Sequence, residues 1–175
     1  KMVTMDFKEK NNLVLVIGKT EGHIDQSLFA RSILDEKNGP PPEINLFNEK
    51  NNGDSLLSLI NKDYIKSAHD VSLGGIITAL SKMCIKGNKG IKLNKLKNLI
   101  NEIDYLFAED QGRYIIEINQ KDLKEVTKIL EKNSVHHEEL GIIIENDMII
   151  DDKTKVTIDE LKSYNTSWLE SYMSS

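Results

Sequence analysis

Two short stretches of the 175-residue chain gather side chains that can do chemistry. The first is YIKSAHDVSLGG, residues 64–75, where a strand-like run stops at His69 and Asp70 and a serine and two glycines follow. A helix opening after Ser72 leaves its first backbone N–H groups without helical acceptors. Ser72 can cap one of them. Gly74 and Gly75 leave the backbone uncovered, so a phosphate or carboxylate can approach the positive end of the helix dipole. Asp70 is the side chain placed to meet a magnesium ion beside such an anion. The same residues equally describe a capped strand-to-helix turn in which glycine supplies dihedrals that other residues avoid.

The second stretch is LFAEDQGRYII, residues 106–116, which sets Glu109, Asp110, Gln111 and Arg113 just ahead of a strand. An acid-rich loop with one planar guanidinium can hold a polar ligand. It can also be a solvated turn with a surface ion pair worth little. Arg113 and Arg31 are the arginines among 23 basic residues, in a chain that otherwise uses lysine. Other chemistries are poorly served. His136 and His137 are adjacent, so in a strand they point to opposite faces. No HExxH, GxSxG or GxxxxGK[ST] spacing occurs. His23 falls in a loop. Cys84 lies on the apolar stripe of a helix and reads as a small buried hydrophobe.

Elements that would position these residues follow from periodicity. LVLVIG (13–18) is a buried-strand signal, and 26–34 has helical spacing. Three consecutive prolines in NGPPPEI (38–44) form a stiff extended connector. A helix over 45–61 has a polar middle, NEKNNGD, that is expected to bend or bulge. A strand over 64–69 precedes a helix over 74–85 carrying Ile76, Ile77, Leu80, Met83 and Cys84 on one stripe. Ile91–Leu93 suggests a short strand, Leu96, Leu99, Ile100 and Ile103 a helix, 114–118 a strand, and 123–132 a helix. LGIIIEN (140–146) and DMIID (147–151) read as a hairpin joined at Asn146-Asp147. KVTI (155–158) is a last strand. Thr157 and Glu160 have capping-box spacing for a closing helix with Leu161, Trp168 and Leu169. Strands alternating with helices predict an α+β (α/β-like) fold, a mixed sheet covered by helices. One domain over 1–175 is expected: an opening strand and helix (1–37), the connector (38–44) and the main body (45–175).

The formal charge of -5 gives no basic footprint for nucleic acid. No apolar run approaches the roughly 20 residues of a membrane span. A single cysteine suits a reducing cytoplasm. The chain opens KMVTMDF, which reads as a tag scar on a natural start or a cut inside a longer protein.

Taken in order, these stretches resemble the C-terminal part of the phosphoribosylformylglycinamidine synthase family, the ATP-dependent large subunit (synthase II). The resemblance rests on MDFKEKNNLVLVIGKTEGHIDQSLFAR, NGPPPEINLFNEKNNGDSLLSLI, SAHDVSLGGIITALSKM, LFAEDQGRYIIEI, ELGIII and SWLESYM, and it spans nearly the whole chain. It implies a domain of the aminoimidazole-ribonucleotide-synthetase type. It also implies a ligase converting formylglycinamide ribonucleotide, ATP and glutamine-derived ammonia to formylglycinamidine ribonucleotide, ADP and phosphate, with magnesium. The implied partners are the remaining domains of the same subunit, a glutaminase subunit and a small accessory subunit, with no nucleic acid and no membrane. Catalytic residues and certain cofactor ligands would lie in domains other than this one, which alone would be inactive. His69, Asp70, Ser72, Gly74, Gly75, Glu109, Gln111 and Arg113 would then be phosphate-facing or interdomain residues. Leu73 stands where the family usually has Asp, Asp25 where it has Gly, and Ala108 where Gly or Ser is common; these favour a structural role. The competing expectation is a stand-alone interaction domain with the same fold and no catalysis. Selenophosphate synthetase and thiamine-monophosphate kinase, which share the domain type, do not usually pair the Pro-rich connector with LFAEDQGR.

Overall fold

A computed structural model describes residues 1–95, 100–151 and 154–174. Its strands are β1 (Leu13–Ile17), β2 (Ile65–Val71), β3 (Gly90–Leu93), β4 (Arg113–Ile118), β5 (His137–Ile144), β6 (Met148–Ile149) and β7 (Lys155–Val156). Its helices are α1 (Leu28–Ser32), α2 (Leu46–Asn61), α3 (Gly75–Gly87), α4 (Glu102–Phe107), α5 (Leu123–Lys132) and α6 (Ile158–Met173). The strands form one mixed sheet in the order β2-β4-β1-β5-β3-β6-β7. Every neighbouring pair is antiparallel except β3 with β6.

Alternation along the central strand β1 divides the core. Val14 and Val16 join α3 and α4 on one face, through Ile76, Leu80, Met83, Tyr105 and Leu106. Leu13, Leu15 and Ile17 face α2 and α5, through Leu59, Val126 and Leu130. Both sides of β1 are buried, which is why it reads as a continuous apolar run. Each such aliphatic side chain contributes on the order of 1.5–3 kcal/mol.

Several expectations need correction. The 140–151 stretch is not a hairpin: β3 lies between β5 and β6, pairing with both. Gly90 permits this, because a Cβ there would sit 2.0 Å from the Asp147 carbonyl oxygen and 2.2 Å from that of Asn146. The polar middle of α2 does not interrupt the helix, which runs unbroken from Leu46 to Asn61. Asn52 and Ser55 are buried, donating to the Gly112 carbonyl (2.9 Å) and accepting from Asn133 Nδ2 (3.0 Å), so polar contacts hold this face. The helix expected around Ile100 and Ile103 is α4, starting at Glu102 behind the Asn101 cap; Leu96 and Leu99 lie outside the described residues. β2 runs through Asp70 to Val71, past the expected end at His69. The capping box of α6 forms: Glu160 N–H donates to Thr157 Oγ1 (3.1 Å), and Thr157 N–H donates to Glu160 Oε2 (2.8 Å).

Candidate functional site

Strand pairing brings the two chemistry-bearing stretches together. β2 lies against β4 with Val71 opposite Arg113 and His69 opposite Ile115. The turn after β2 therefore meets the loop before β4. Residues 108–112 of that loop are held by Arg113, whose guanidinium is enclosed, with the residue only 1% exposed. Its Nη2 donates to the Ala108 carbonyl (2.7 Å), Nε to the Asp110 carbonyl (3.1 Å) and Nη1 to Thr20 Oγ1 (3.0 Å). Burial holds the guanidinium below its ordinary value, and the neighbouring Asp110, Tyr105 and Glu109 offset only part of this. It stays charged, as Arg does in proteins. Its carboxylate partner is Asp110 at 3.8 Å.

Two acids of the loop then capture backbone amides. Asp110 Oδ2 accepts from the N–H groups of Glu21 (3.0 Å) and Gly22 (3.1 Å), and its Oδ1 from that of His23 (3.3 Å). Glu109 Oε1 accepts from the N–H of Leu28 (2.7 Å) and the N–H of Gly74 (2.8 Å). The first group belongs to the opening turn of α1 and the second to the residue that precedes α3. A carboxylate of the chain itself thus occupies the amino end of α3, where the helix dipole favours negative charge.

The glycine pair has a steric reason. Gly74 and Gly75 have φ of 82° and 71°. A Cβ on Gly75 would lie 2.6 Å from the Leu106 carbonyl oxygen and 2.7 Å from that of Ala108. The second glycine therefore lets α3 press against the end of α4 and the acidic loop. Ser72 does not cap α3 through its side chain. Its carbonyl accepts from Gly75 N–H instead (3.0 Å). Ser72 and Leu73 are exposed.

His69 and Asp70 form a pair at the end of the edge strand, with His69 Nδ1 3.0 Å from Asp70 Oδ1. The Asp70 side chain is 64% exposed, whereas that of His69 is 9% exposed. Burial raises the Asp70 carboxyl, but the charge of His69 and hydrogen bonds from its own backbone, His69 and Ser72 more than offset this and leave it below the usual range. His69 Nε2 is buried without a hydrogen-bond partner. Gln111 is exposed and lies on the rim of a polar cleft of about 650 Å³ with Asp110, His23, Pro41, Asn48 and Asn52.

Of the eight residues singled out from sequence, His69, Asp70, Ser72, Gly74, Gly75, Glu109, Gln111 and Arg113 all fall at this junction of β2, α3 and β4, but their exposure divides them. Arg113 and Gly75 are enclosed; Asp70, Ser72 and Gln111 face outward. Sequence reasoning gave Asp110 no more weight than its loop and passed over Glu117. Glu117 is fully buried on the same face of β4 as Arg113, and it accepts from the N–H groups of Lys8 and Glu9, from Asn12 Nδ2 and from Ser67 Oγ. An acid in the middle of RYIIEI was the available signal. Asp25, one of the three departures, lies beneath Gly39, where a Cβ would sit 2.3 Å from its Oδ2.

Magnesium does not fit this set of groups by itself. Among the described residues no three His, Cys, Asp or Glu side chains are placed to hold a metal ion. The Gly74 amide is already bonded to Glu109, and Arg113 is spent on the loop.

A family model described as "AIR synthase related protein, C-terminal domain" matches residues 9–152. The chain is 71% identical over 172 residues to the phosphoribosylformylglycinamidine synthase subunit PurL of Pelagibacter ubique, covering 98% of this chain and 24% of that protein. It is 34% identical over 173 residues to PurL of Bartonella bacilliformis, covering 99% of this chain and 23% of the relative. It thus spans about a quarter of the length of these relatives. Among solved structures, T. maritima PurL complexed with FGAR aligns with a TM-score of 0.75 at 18% identity, over 91% of this chain and 29% of that one. E. coli HypE, a hydrogenase maturation protein, aligns with a TM-score of 0.64 at 15% identity, over 89% of this chain and 52% of the other. At such identities the two structures speak for the fold alone.

Proposed function

This chain belongs to the AIR synthase related family, as its C-terminal domain, and from that premise we propose that it is the last domain of a phosphoribosylformylglycinamidine synthase large subunit. The complete enzyme would be an ATP-dependent C–N ligase. It converts formylglycinamide ribonucleotide, ATP and glutamine-derived ammonia to formylglycinamidine ribonucleotide, ADP and phosphate. The observation that carries this reading is the 71% identity across 172 residues to a PurL subunit, which leaves almost no segment of the chain unmatched. Magnesium and ATP would be held chiefly by the other domains, where cleavage of ATP would supply the energy of the ligation and magnesium would neutralise phosphate charge. A PurL structure with bound ATP and one described as PurLQS, both from T. maritima, support nucleotide use and assembly with further subunits. The partners in this reading are the rest of the same large subunit, a glutaminase and a small accessory subunit. The site of action is the cytoplasm.

Within such an enzyme the domain acts by positioning. Glu109 and Asp110 tie the 20–28 segment to the start of α3, and Arg113 fixes the loop that carries both acids. Asp70, Ser72 and Gln111 form the outward edge of that junction, the surface available to a neighbouring domain or to a phosphate. A wall held at this precision keeps reacting groups aligned without taking part in bond changes. The enclosed Arg113 and the self-occupied α3 terminus are the reasons to assign no catalytic residue here, and to expect the 175 residues alone to turn nothing over.

The test replaces the matching quarter of the P. ubique relative with these 175 residues. The chimera should release ADP in a manner dependent on formylglycinamide ribonucleotide and ammonia. A folded chimera without that turnover contradicts the reading and leaves an interaction domain of the same fold.

A further inference from the structure

The family match ends at residue 152, whereas α6 begins at Ile158. This helix therefore lies beyond the stretch that the family model matches, and its start is anchored on the domain. Ile158 is buried, Leu161 packs on the core beside α3, and Lys162 Nζ donates to Asn88 Oδ1. From Ser163 to Leu169 every residue is exposed. That stretch carries Tyr164, Trp168 and Leu169, which are 78%, 67% and 55% exposed. Leu161, Tyr164 and Trp168 are spaced by three and four residues, so the apolar stripe continues the line that anchors the helix. Trp168 is further stacked on Tyr172, with ring centroids 5.5 Å apart. A helical end holding so much aromatic surface in water has little reason to stay ordered by itself, since short helices draw their stability from packing.

We infer that the outer half of α6 is a docking surface for the rest of the same polypeptide, the three quarters of the relatives' length that this chain does not span. The inference rests on the reading of the chain as one domain of a large subunit. Two observations favour that occupant. The 71% match takes in 98% of this chain, so it reaches into α6, and it does so inside a protein about four times as long. The stripe also runs on from the domain's own packing line, which suits a body seated flush against the α3 side.

Hydrogen exchange of residues 163–173, measured in the 175-residue chain and in the chimera, tests this. Exchange should slow by roughly tenfold or more in the chimera, the mark of a segment closed by packing. Trp168→Glu should abolish that slowing and lower the melting temperature of the chimera, while leaving that of the isolated chain unchanged. Equal exchange in both proteins overturns the inference. So does a concentration-dependent dimer of the isolated chain that Trp168→Glu dissolves, because a second copy would then be the occupant. The P. ubique relative, compared whole and cut down to its matching quarter, repeats the measurement without a chimera. Turnover without slowed exchange sinks the docking surface alone; slowed exchange without turnover sinks the functional reading alone.

Discussion

Replacing Arg113 by lysine tests how the acidic loop is built. The guanidinium makes three buried bonds, to the Ala108 carbonyl (2.7 Å), Thr20 Oγ1 (3.0 Å) and the Asp110 carbonyl (3.1 Å). A bond from a charged donor contributes about 1.5–3 kcal/mol. Lysine keeps the charge, but its single nitrogen cannot serve three acceptors spread around a planar fork. Losing two of the three bonds costs about 3–6 kcal/mol before relaxation. Water entering the vacated volume returns part of that, so a net loss of about 2–3 kcal/mol is expected. For a domain of this size that corresponds to a fall in Tm of about 4–12 °C. Arg113→Met should be worse, about 3–5 kcal/mol, because Asp110 is left nearly buried without its cation. The assay is denaturant unfolding together with hydrogen exchange. The loss should be accompanied by faster exchange in residues 107–112 and 20–28, with α5 unaffected. A lysine variant within about 0.5 kcal/mol of wild type, the range of ordinary surface changes, would refute the reasoning.

Other consequences follow from the same geometry. Gly75→Ala places a methyl 2.6 Å from a backbone oxygen at a φ of +71° and should destabilise by upwards of about 3 kcal/mol, read by urea unfolding. Glu117→Gln turns an acceptor of four hydrogen bonds into a group that also carries two donors; a loss of about 2–4 kcal/mol is expected, with faster exchange at Lys8 and Glu9. Burial pushes the Cys84 thiol from 9.0 up to about 12, so the native protein should resist alkylation at pH 8. The folded state favours the neutral thiol while the unfolded chain ionises first. This contribution to stability is therefore complete below pH 9 and declines between pH 9 and about 12, which unfolding measured across that range with a Cys84→Ala control detects.

The central elements were readable because their signals are local. β1 is an unbroken apolar run, α3 a clean stripe ending near Asn88, and the α6 capping box is a four-residue pattern. The β5–β6 misreading has the opposite cause. Asn146 and Asp147 turn the chain whether or not the next strand pairs with the previous one, and the insertion of β3 is decided by the remote Gly90. In α2 the inward polar groups Asn52 and Ser55 imitate a break, because their partners lie at Gly112 and Asn133. The junction itself was legible as two residue groups. Its internal wiring was not, because the donors that meet Glu109 and Asp110 are backbone amides of residues 21–28 and Gly74, and an amide has no letter in the sequence.

The claim on which the rest depends is that a single carboxylate, that of Glu109, joins the start of α1 to the start of α3. Hydrogen exchange of the Leu28 and Gly74 amides, followed by NMR in the wild type and in Glu109→Ala, measures it directly. Both amides should lose protection together in Glu109→Ala. Amides that keep their wild-type protection in Glu109→Ala, or only one of which loses it, would contradict it.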